Sequence, residues 1–312
     1  MGEITSVRSR AYGFQEPEPV SLRCDDGLLL AGHYWKSPAP HVNTFAIVAG
    51  ATGVRADYYH RYAHFLARRG FEVLTFDYRG IGASRPERLR GCSYRWSDWG
   101  SLDFEAAIKF SAVRAPHLPL VVIGHSIGGF LPGLARSASR ISRMLTIGAQ
   151  HAWWRDYAPE RRLTLFMKWH IVMPLLTAVC GYFPGSLLGW IEDLPAGVAN
   201  EWSFRRSRYE LGAPPEARDA IIAGFAKVCA PVLAVCIADD DLAPRAAVER
   251  GLSHYPSAPR EIATISPEHL GVEAVGHVGI FHARFEESFW RDSLLWLRDG
   301  INPWAAFSGK TI

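Results

Sequence analysis

Residues 119–133 read PLVVIGHSIGGFLPG, and this stretch decides how the rest of the sequence is interpreted. An unbroken apolar run, 121–123, stops at Gly124, and a single serine, Ser126, then stands with glycine two positions before it and two after it. The pattern G-x-S-x-G alone occurs by accident in roughly a tenth of chains this long. It predicts a nucleophile only where a buried strand leads into the serine and a helix leads away from it.

The alternation of apolar segments along the chain supplies that context. A hairpin around Asp25-Asp26-Gly27 opens the sequence, and apolar strands then alternate with helical patterns for most of its length. The strand before Ser126 is LPLVVIG, and GGFLPGLARS is expected to begin a helix after it. Such alternation predicts a mostly parallel sheet of about eight strands with helices on both faces.

An insertion interrupts the alternation after the sixth strand. Residues 151–215 are rich in aromatic side chains and come directly after a strand end, so we expect them to form a helical lid over the carboxyl edge of the sheet. The core then consists of residues 1–150 and 216–312. Residues 171–191 carry no charge and are long enough for a membrane span. Pro174, Pro184 and three glycines are expected to break this segment into short pieces, which predicts no stable membrane insertion.

The composition limits the classes of function. Of the 312 residues 48% are hydrophobic and 21% are charged, and the formal net charge is only +3. Lys and Arg are spread along the chain, so nucleic-acid binding is not expected. The five cysteines are odd in number and have no paired spacing, which favours reduced thiols and a cytoplasmic location. The N-terminus has no apolar segment typical of a secretory signal.

A serine needs a base to become nucleophilic, and the base needs a carboxylate to orient it. In this kind of turn the chain order is serine, then acid, then histidine. PVLAVCIADDDLAP supplies the acid directly after a strand, and GVEAVGHVGIF supplies His277 between the last strand and the last helix. The amide of Ile127, at the start of the expected helix, is a candidate donor to a developing oxyanion.

The sequence resembles the α/β-hydrolase fold superfamily over nearly its whole length. The stretches IVAGATGVRADYYHRYAHFLARRGFEVLTFDYRGIGASRP, IGHSIGG, ADDDLAP and GHVGIF are similar to bacterial predicted hydrolases of the serine aminopeptidase and lysophospholipase branch. The resemblance implies Ser126 as nucleophile, His277 as general base and an aspartate as orienting acid. Counting back from Pro244 favours Asp240, with Asp239 and Asp241 as alternatives. Ile237 stands where superfamily members often have glycine.

The resemblance also implies a second oxyanion donor after the strand TFAIVAG, where superfamily members commonly have His-Gly. This chain has Ala49-Gly50, so Ala51 is the first candidate and Thr52 the second.

Further side chains are candidates for the substrate pocket. Thr52 is one, and the others lie in the insertion: His151, Trp154 and Trp190. His125, beside the nucleophile, is expected to be structural. The aspartate run 239–241 has no accompanying histidine pair or second acidic cluster, so we expect neither a metal nor an organic cofactor.

These observations predict a serine hydrolase of the α/β-hydrolase fold, acting on a carboxylic ester of a hydrophobic small molecule through an acyl-enzyme. An acyltransferase that uses the same acyl-enzyme, an amidase or peptidase, and a binding protein that retains the fold are the alternatives. The expected partner is a small-molecule acyl substrate, and a homo-oligomer is possible.

Overall fold

The computed structural model describes residues 16–309, and a sheet of nine strands lies at its centre. Residues 1–15 and 310–312, which the sequence assigned to the core, lie outside the described residues. The strands in chain order are β1 Glu18–Arg23, β2 Leu29–Trp35, β3 Thr44–Ala49, β4 Phe71–Phe76, β5 Leu120–His125, β6 Ile141–Ile147, β7 Tyr182–Phe183, β8 Leu194–Pro195, β9 Val232–Ile237, β10 Arg260–Ile265 and β11 Ser308–Gly309.

The large sheet has the order β1-β2-β4-β3-β5-β6-β9-β10-β11, and β7 pairs separately with β8. The pairs between β4 and β10 are all parallel, and β1, β2 and β11 are antiparallel additions at the edges. The predicted fold class, a mostly parallel sheet with an opening hairpin, is therefore confirmed. The antiparallel β11 adds one short strand to the expected number.

Helices of the core cover both faces of this sheet, and further helices lie in the insertion 151–215. They are α1 His60–Ala67, α2 Glu105–Arg114, α3 Pro159–Phe166, α4 Met173–Cys180, α5 Ala196–Ser203, α6 Pro215–Ala226, α7 Arg245–Leu252 and α8 Arg291–Asp299. A helical turn lies at Trp96–Asp98, and π-helical segments lie at Trp99–Phe104, Met167–Val172 and Glu286–Trp290.

The central strands are apolar because both of their faces are buried. In β3, Phe45 and Ile47 contribute to the core on one side of the sheet, and Ala46 and Val48 to the core on the other. All six residues of β5 are buried as well. Successive side chains point to opposite faces of a strand, so a strand covered on both faces is nearly all apolar. This burial fixes the places where β3, β5, β9 and β10 end, and with them the loops at their carboxyl ends.

The segment after Ser126 differs from the expectation. Instead of an α-helix, two 3₁₀ turns follow, Ser126–Gly129 and Leu131–Leu134. Three glycines and Pro132 fall within these nine residues, and glycine and proline are the residues that most disfavour a regular α-helix. The positive electrostatic potential beside Ser126 therefore comes from the backbone N–H groups of one tight turn and not from a long helix.

The predicted breaks in the insertion are also partly wrong. Residues 159–180 form one continuous helical run made of α3, the π turn Met167–Val172 and α4. Pro174 is the second residue of α4, and the π turn directly before it changes the hydrogen-bond register at the point where proline has no N–H to donate. The run ends at Gly181, whose φ of +77° is left-handed.

Candidate active site

Ser126 adopts a backbone conformation that is rare for a residue with a side chain. It follows β5 directly, its φ is +53°, and it is buried. A non-glycine residue in this region is under strain of about 1–3 kcal/mol, which the surrounding structure must hold. Such strained residues cluster at functional sites.

Two glycines make this turn possible by letting backbone segments approach each other. A Cβ atom at Gly128 would lie 2.1 Å from the carbonyl oxygen of Ala49, and one at Gly124 would lie 2.3 Å from the Cα of Gly129. Both distances are far inside van der Waals contact, so no larger residue fits without a shift of the backbone. The same crowding brings the end of β3 against the turn that carries Ser126.

The three aspartates after β9 have different partners, and Asp240 is the one that contacts the histidine. Its Oδ2 lies 2.7 Å from Nδ1 of His277. Its Oδ1 accepts the amides of Leu242 at 2.9 Å and Ala243 at 3.0 Å. A carboxylate only accepts hydrogen bonds, so Nδ1 of His277 carries the proton and the lone pair of the neutral ring is on Nε2.

The two neighbouring aspartates bind groups other than the histidine ring. Asp239 accepts the amides of Val275 at 2.8 Å and Gly276 at 3.1 Å, and so fixes the loop that carries His277. Asp241 is exposed and pairs with Arg161 of the insertion at 2.8 Å. Among the three candidates, only Asp240 is oriented toward the histidine ring.

A hydrogen-bonded chain connects the histidine loop with the loop after β3. Nε2 of His125 lies 2.8 Å from the carbonyl oxygen of His277, and Nδ1 of His125 lies 2.8 Å from the hydroxyl of Tyr59. The hydroxyl of Tyr59 in turn accepts the amide of Ala51 at 2.9 Å. Because a carbonyl only accepts, Nε2 of His125 carries the proton and the Tyr59 hydroxyl donates to Nδ1.

Burial keeps this chain uncharged. It raises the pKa of the Tyr59 hydroxyl, and it lowers the pKa of His125 well below its ordinary value. This hydrogen-bonded series also occupies one of the two donors predicted for the oxyanion hole. The amide of Ala51 is engaged by Tyr59 and is not free, which differs from the expectation, whereas no hydrogen bond found within residues 16–309 uses the amide of Thr52.

Ser126 and His277 line the same cavity, which has a volume of about 490 Å³. Within the described residues no hydrogen bond joins their side chains, and catalytic contacts are often long before substrate binds. Ile127, Ala51 and Thr52 also line this cavity. The rest of its wall is mostly apolar. Trp96 of the core contributes to it, and the insertion contributes Tyr157, Leu165, Trp169, Met173 and Trp202.

Two of the four predicted pocket residues lie on this cavity and two do not. Thr52 and Trp190 line it, but His151 and Trp154 are absent from its wall. The chain turns sharply after β6, with Ala152 at a φ of +60°, and His151 packs against Phe130 and His254 in the protein core. The structure therefore does not bring His151 and Trp154 to the cavity wall.

The three aspartates near the site all have partners within the protein. Asp239 and Asp240 accept backbone amides, and Asp241 pairs with an arginine. Across residues 16–309, no group of three or more His, Cys, Asp or Glu side chains is arranged to hold a metal ion. The arrangement supplies a hydroxyl, an oriented imidazole and backbone N–H groups around one apolar cavity.

Comparison with known proteins agrees with this description. Residues 41–180 match the model of a family described as serine aminopeptidase, S33. The monoglyceride lipase of Saccharomyces cerevisiae is 34% identical over 64 residues, a stretch that spans only 20% of either protein.

Solved structures of low identity share the fold. A soluble variant of the yeast monoglyceride lipase in complex with a substrate analogue has a TM-score of 0.68 at 19% identity, covering 94% of this chain and 98% of that one. The esterase Pf2001 of Pyrococcus furiosus has a TM-score of 0.57 at 17% identity, covering 93% and 92%. A thermophilic esterase from Thermogutta terrifontis has a TM-score of 0.57 at 14% identity, covering 90% and 98%.

The sheet order and the solved structures show that this chain has the α/β-hydrolase fold. The expected resemblance to the serine aminopeptidase branch is confirmed over residues 41–180.

Proposed function

We propose that this protein is a serine hydrolase that cleaves a carboxylic ester of a hydrophobic small molecule. The observation that carries the proposal is the pairing of His277 with Asp240 at 2.7 Å beside a strained, buried Ser126, on one mostly apolar cavity. The names of the relatives, a monoglyceride lipase and two esterases, point to the same chemistry.

In the proposed first half-reaction, Oγ of Ser126 attacks the carbonyl carbon of the ester while Nε2 of His277 takes its proton. The negative charge moves to the carbonyl oxygen, which the amides of Ile127 and Thr52 receive. Thr52 replaces Ala51 in this role because the Ala51 amide already donates to Tyr59. The imidazolium, stabilised by Asp240, then gives its proton to the leaving alcohol, and an acyl-enzyme remains.

The second half-reaction repeats these steps with water. His277 takes a proton from a water molecule, whose oxygen attacks the acyl carbon, and then returns the proton to Oγ of Ser126 as the carboxylic acid leaves. The insertion acts as the lid that forms the acyl or alcohol pocket, because most of the apolar cavity wall comes from it. A cavity of this size accommodates a small or medium-sized apolar ligand.

We place the protein in a reducing compartment such as the cytoplasm. All five cysteines are free thiols, although Cys24 and Cys236 are buried in the core. Disulfides are rare in reducing compartments, so this state is typical of a cytoplasmic protein.

The test is a series of p-nitrophenyl esters of increasing acyl length, assayed with the wild type and with Ser126→Ala. We expect hydrolysis by the wild type and a loss of about 10⁶-fold in turnover for the variant. Matched anilides test for an amidase, and added alcohol or amine acceptors test for acyl transfer. A folded Ser126→Ala protein that keeps its turnover would overturn the proposal.

A further inference from the structure

The outer side of the helical run 159–180 is an exposed apolar face. Its members are spaced by four residues and are between 38% and 77% exposed: Leu163, Met167, Ile171, Leu175 and Val179. We call this set the outer row. The most apolar 18-residue window of the run has a mean hydropathy of 1.6, and only 22% of that window is buried. Exposed apolar patches of this kind mark sites of interaction with protein or lipid.

The π turn in the middle of the run keeps the outer row on one side. In an α-helix a step of four residues overshoots a full turn by about 40°, so five side chains at this spacing would wind around almost half of the helix. A π turn contains more than four residues, so a step across Met167–Val172 falls short of a full turn and reverses part of the drift. The outer row therefore forms a continuous strip.

The inner side of the same run belongs to the candidate active site. Leu165, Lys168, Trp169 and Met173 line the cavity that holds Ser126. The run thus separates the cavity from the surroundings, with apolar side chains on both sides. A surface that covers the outer row would lie within one helix diameter of the cavity, which is about 10 Å.

The segment that carries the outer row contributes basic charges, of which Arg161 is paired with Asp241. Residues 161–191 contain no Asp or Glu but include Arg161, Arg162 and Lys168. The ammonium of Lys168 lies 4.6 Å from the ring centre of Trp190, which is itself partly exposed. Tryptophan and lysine are the side chains typical of a membrane–water boundary, and basic side chains attract anionic headgroups.

We infer that the outer row docks on the surface of a lipid layer that carries anionic headgroups. The inference rests on the proposed function, because a hydrophobic ester dissolved in that layer would then reach the cavity directly. The helix lies on the layer and does not cross it: a span would pull Leu165, Trp169 and Met173, all buried, out of the protein. This form of binding agrees with the expected absence of stable membrane insertion.

Vesicle flotation tests the inference with the full-length protein. The probes are vesicles of phosphatidylcholine alone and vesicles with about 30% phosphatidylglycerol, which add negative surface charge. The test variant is Leu163→Ser/Leu175→Ser/Val179→Ser, whose three side chains are absent from the cavity wall. The matched control is Val113→Ser/Leu295→Ser/Ile301→Ser, which removes three exposed apolar side chains elsewhere on the protein.

We expect the wild type and the control to float with the anionic vesicles and to bind several-fold less to phosphatidylcholine alone. The test variant should bind at least ~10-fold more weakly, since binding scales with the apolar area buried in the layer. Its hydrolysis of a water-soluble acetate ester should equal that of the wild type. Flotation of the test variant at the wild-type level would overturn the inference, as would a wild type that fails to float.

Two further measurements separate this inference from its rivals. If the wild type is a dimer by sedimentation, fails to float, and becomes monomeric in the test variant, a second copy covers the outer row and the lipid inference is wrong. Ser126→Ala should float like the wild type. A wild type that floats but hydrolyses no ester would therefore refute the proposed function and leave the docking inference standing.

Discussion

Replacing each of the three aspartates after β9 by asparagine should produce three very different enzymes. Asp240→Asn places an amide where the proton on Nδ1 of His277 needs an acceptor. The ring is then pushed toward the tautomer that carries its proton on Nε2, and that nitrogen can no longer accept the proton of Ser126. We expect kcat to fall by about 10⁴-fold with little change in folding.

Asp239→Asn should have a smaller effect. The carboxylate accepts two backbone amides of the histidine loop, at 2.8 and 3.1 Å, and an asparagine keeps only one acceptor. Losing a hydrogen bond to a charged group costs about 1.5–3 kcal/mol, and about 1.4 kcal/mol corresponds to tenfold in rate. If half or more of this cost falls on the position of His277, kcat drops by about tenfold.

Asp241→Asn removes only an exposed ion pair with Arg161, in which the aspartate is 68% exposed and the arginine 47%. Exposed pairs contribute about 0–1 kcal/mol, so kcat/KM should stay within about twofold of the wild type. The assay is hydrolysis of a p-nitrophenyl ester by the three variants, with circular dichroism to verify the fold. Near-full activity of Asp240→Asn, or a larger loss in Asp239→Asn or Asp241→Asn, would refute this assignment of roles.

Three further predictions concern stability and the positioning of the site. Gly128→Ala should destabilise the protein by at least about 2 kcal/mol in urea unfolding, because the new Cβ would overlap a backbone carbonyl. The control Gly212→Ala should leave the unfolding midpoint unchanged, because the space around Gly212 is open. Tyr59→Phe should lower kcat about tenfold. Tyr62→Phe removes an equally buried hydroxyl that bonds Ser293 and not His125 or Ala51, so it should cost about 1 kcal/mol of stability without a kinetic effect. Burial lowers the pKa of His254 to about 4, so the folded protein takes up a proton there less readily than the unfolded chain. The contribution to the free energy of unfolding is therefore complete above pH ~6.5 and falls by about 2 kcal/mol between pH 7 and pH 5. His254→Gln should remove this part of the dependence of unfolding free energy on pH.

Each of these has a clear contrary result. Equal unfolding midpoints for Gly128→Ala and Gly212→Ala would mean that the turn is less crowded than described. An unchanged kcat in Tyr59→Phe would show that the chain from Tyr59 through His125 positions nothing. A pH slope that persists in His254→Gln would mean that other buried groups cause the loss of stability in acid.

The order of the candidate catalytic residues could be predicted because each one follows a strand. Parallel strands end at the same edge of the sheet, so Ser126 after β5, the aspartates after β9 and His277 after β10 had to meet there. The count from Pro244 selected Asp240. The contacts that distinguish Asp240 from its neighbours depend on backbone geometry in the histidine loop, which no local pattern encodes.

The connection through Tyr59 and His125 could not be predicted. Tyr59 lies on the apolar side of a helical pattern, where a tyrosine is usually part of the core, and its hydroxyl finds Ala51 and His125 only after α1 packs on the sheet. His151 and Trp154 were assigned to the pocket because they follow a strand end. At the left-handed turn of Ala152 the His151 ring packs against Phe130 and His254 instead, and a single positive φ at a non-glycine residue leaves no trace in the sequence.

The continuous helix of the insertion was missed because proline was interpreted as a break. A proline ends or kinks an α-helix, but a π turn before it removes the conflict, and π turns have no simple sequence signature. The opposite error occurred after Ser126, where glycine and proline were given too little weight and 3₁₀ turns replaced the expected helix.

The most direct test of the central claim is the intact mass of the protein after incubation with a fluorophosphonate, measured on the wild type and on Ser126→Ala. An activated serine attacks this reagent and keeps the phosphonyl group. We predict one adduct on the wild type and none on the variant. A folded wild type without an adduct, or an adduct of equal yield on Ser126→Ala, would contradict the account.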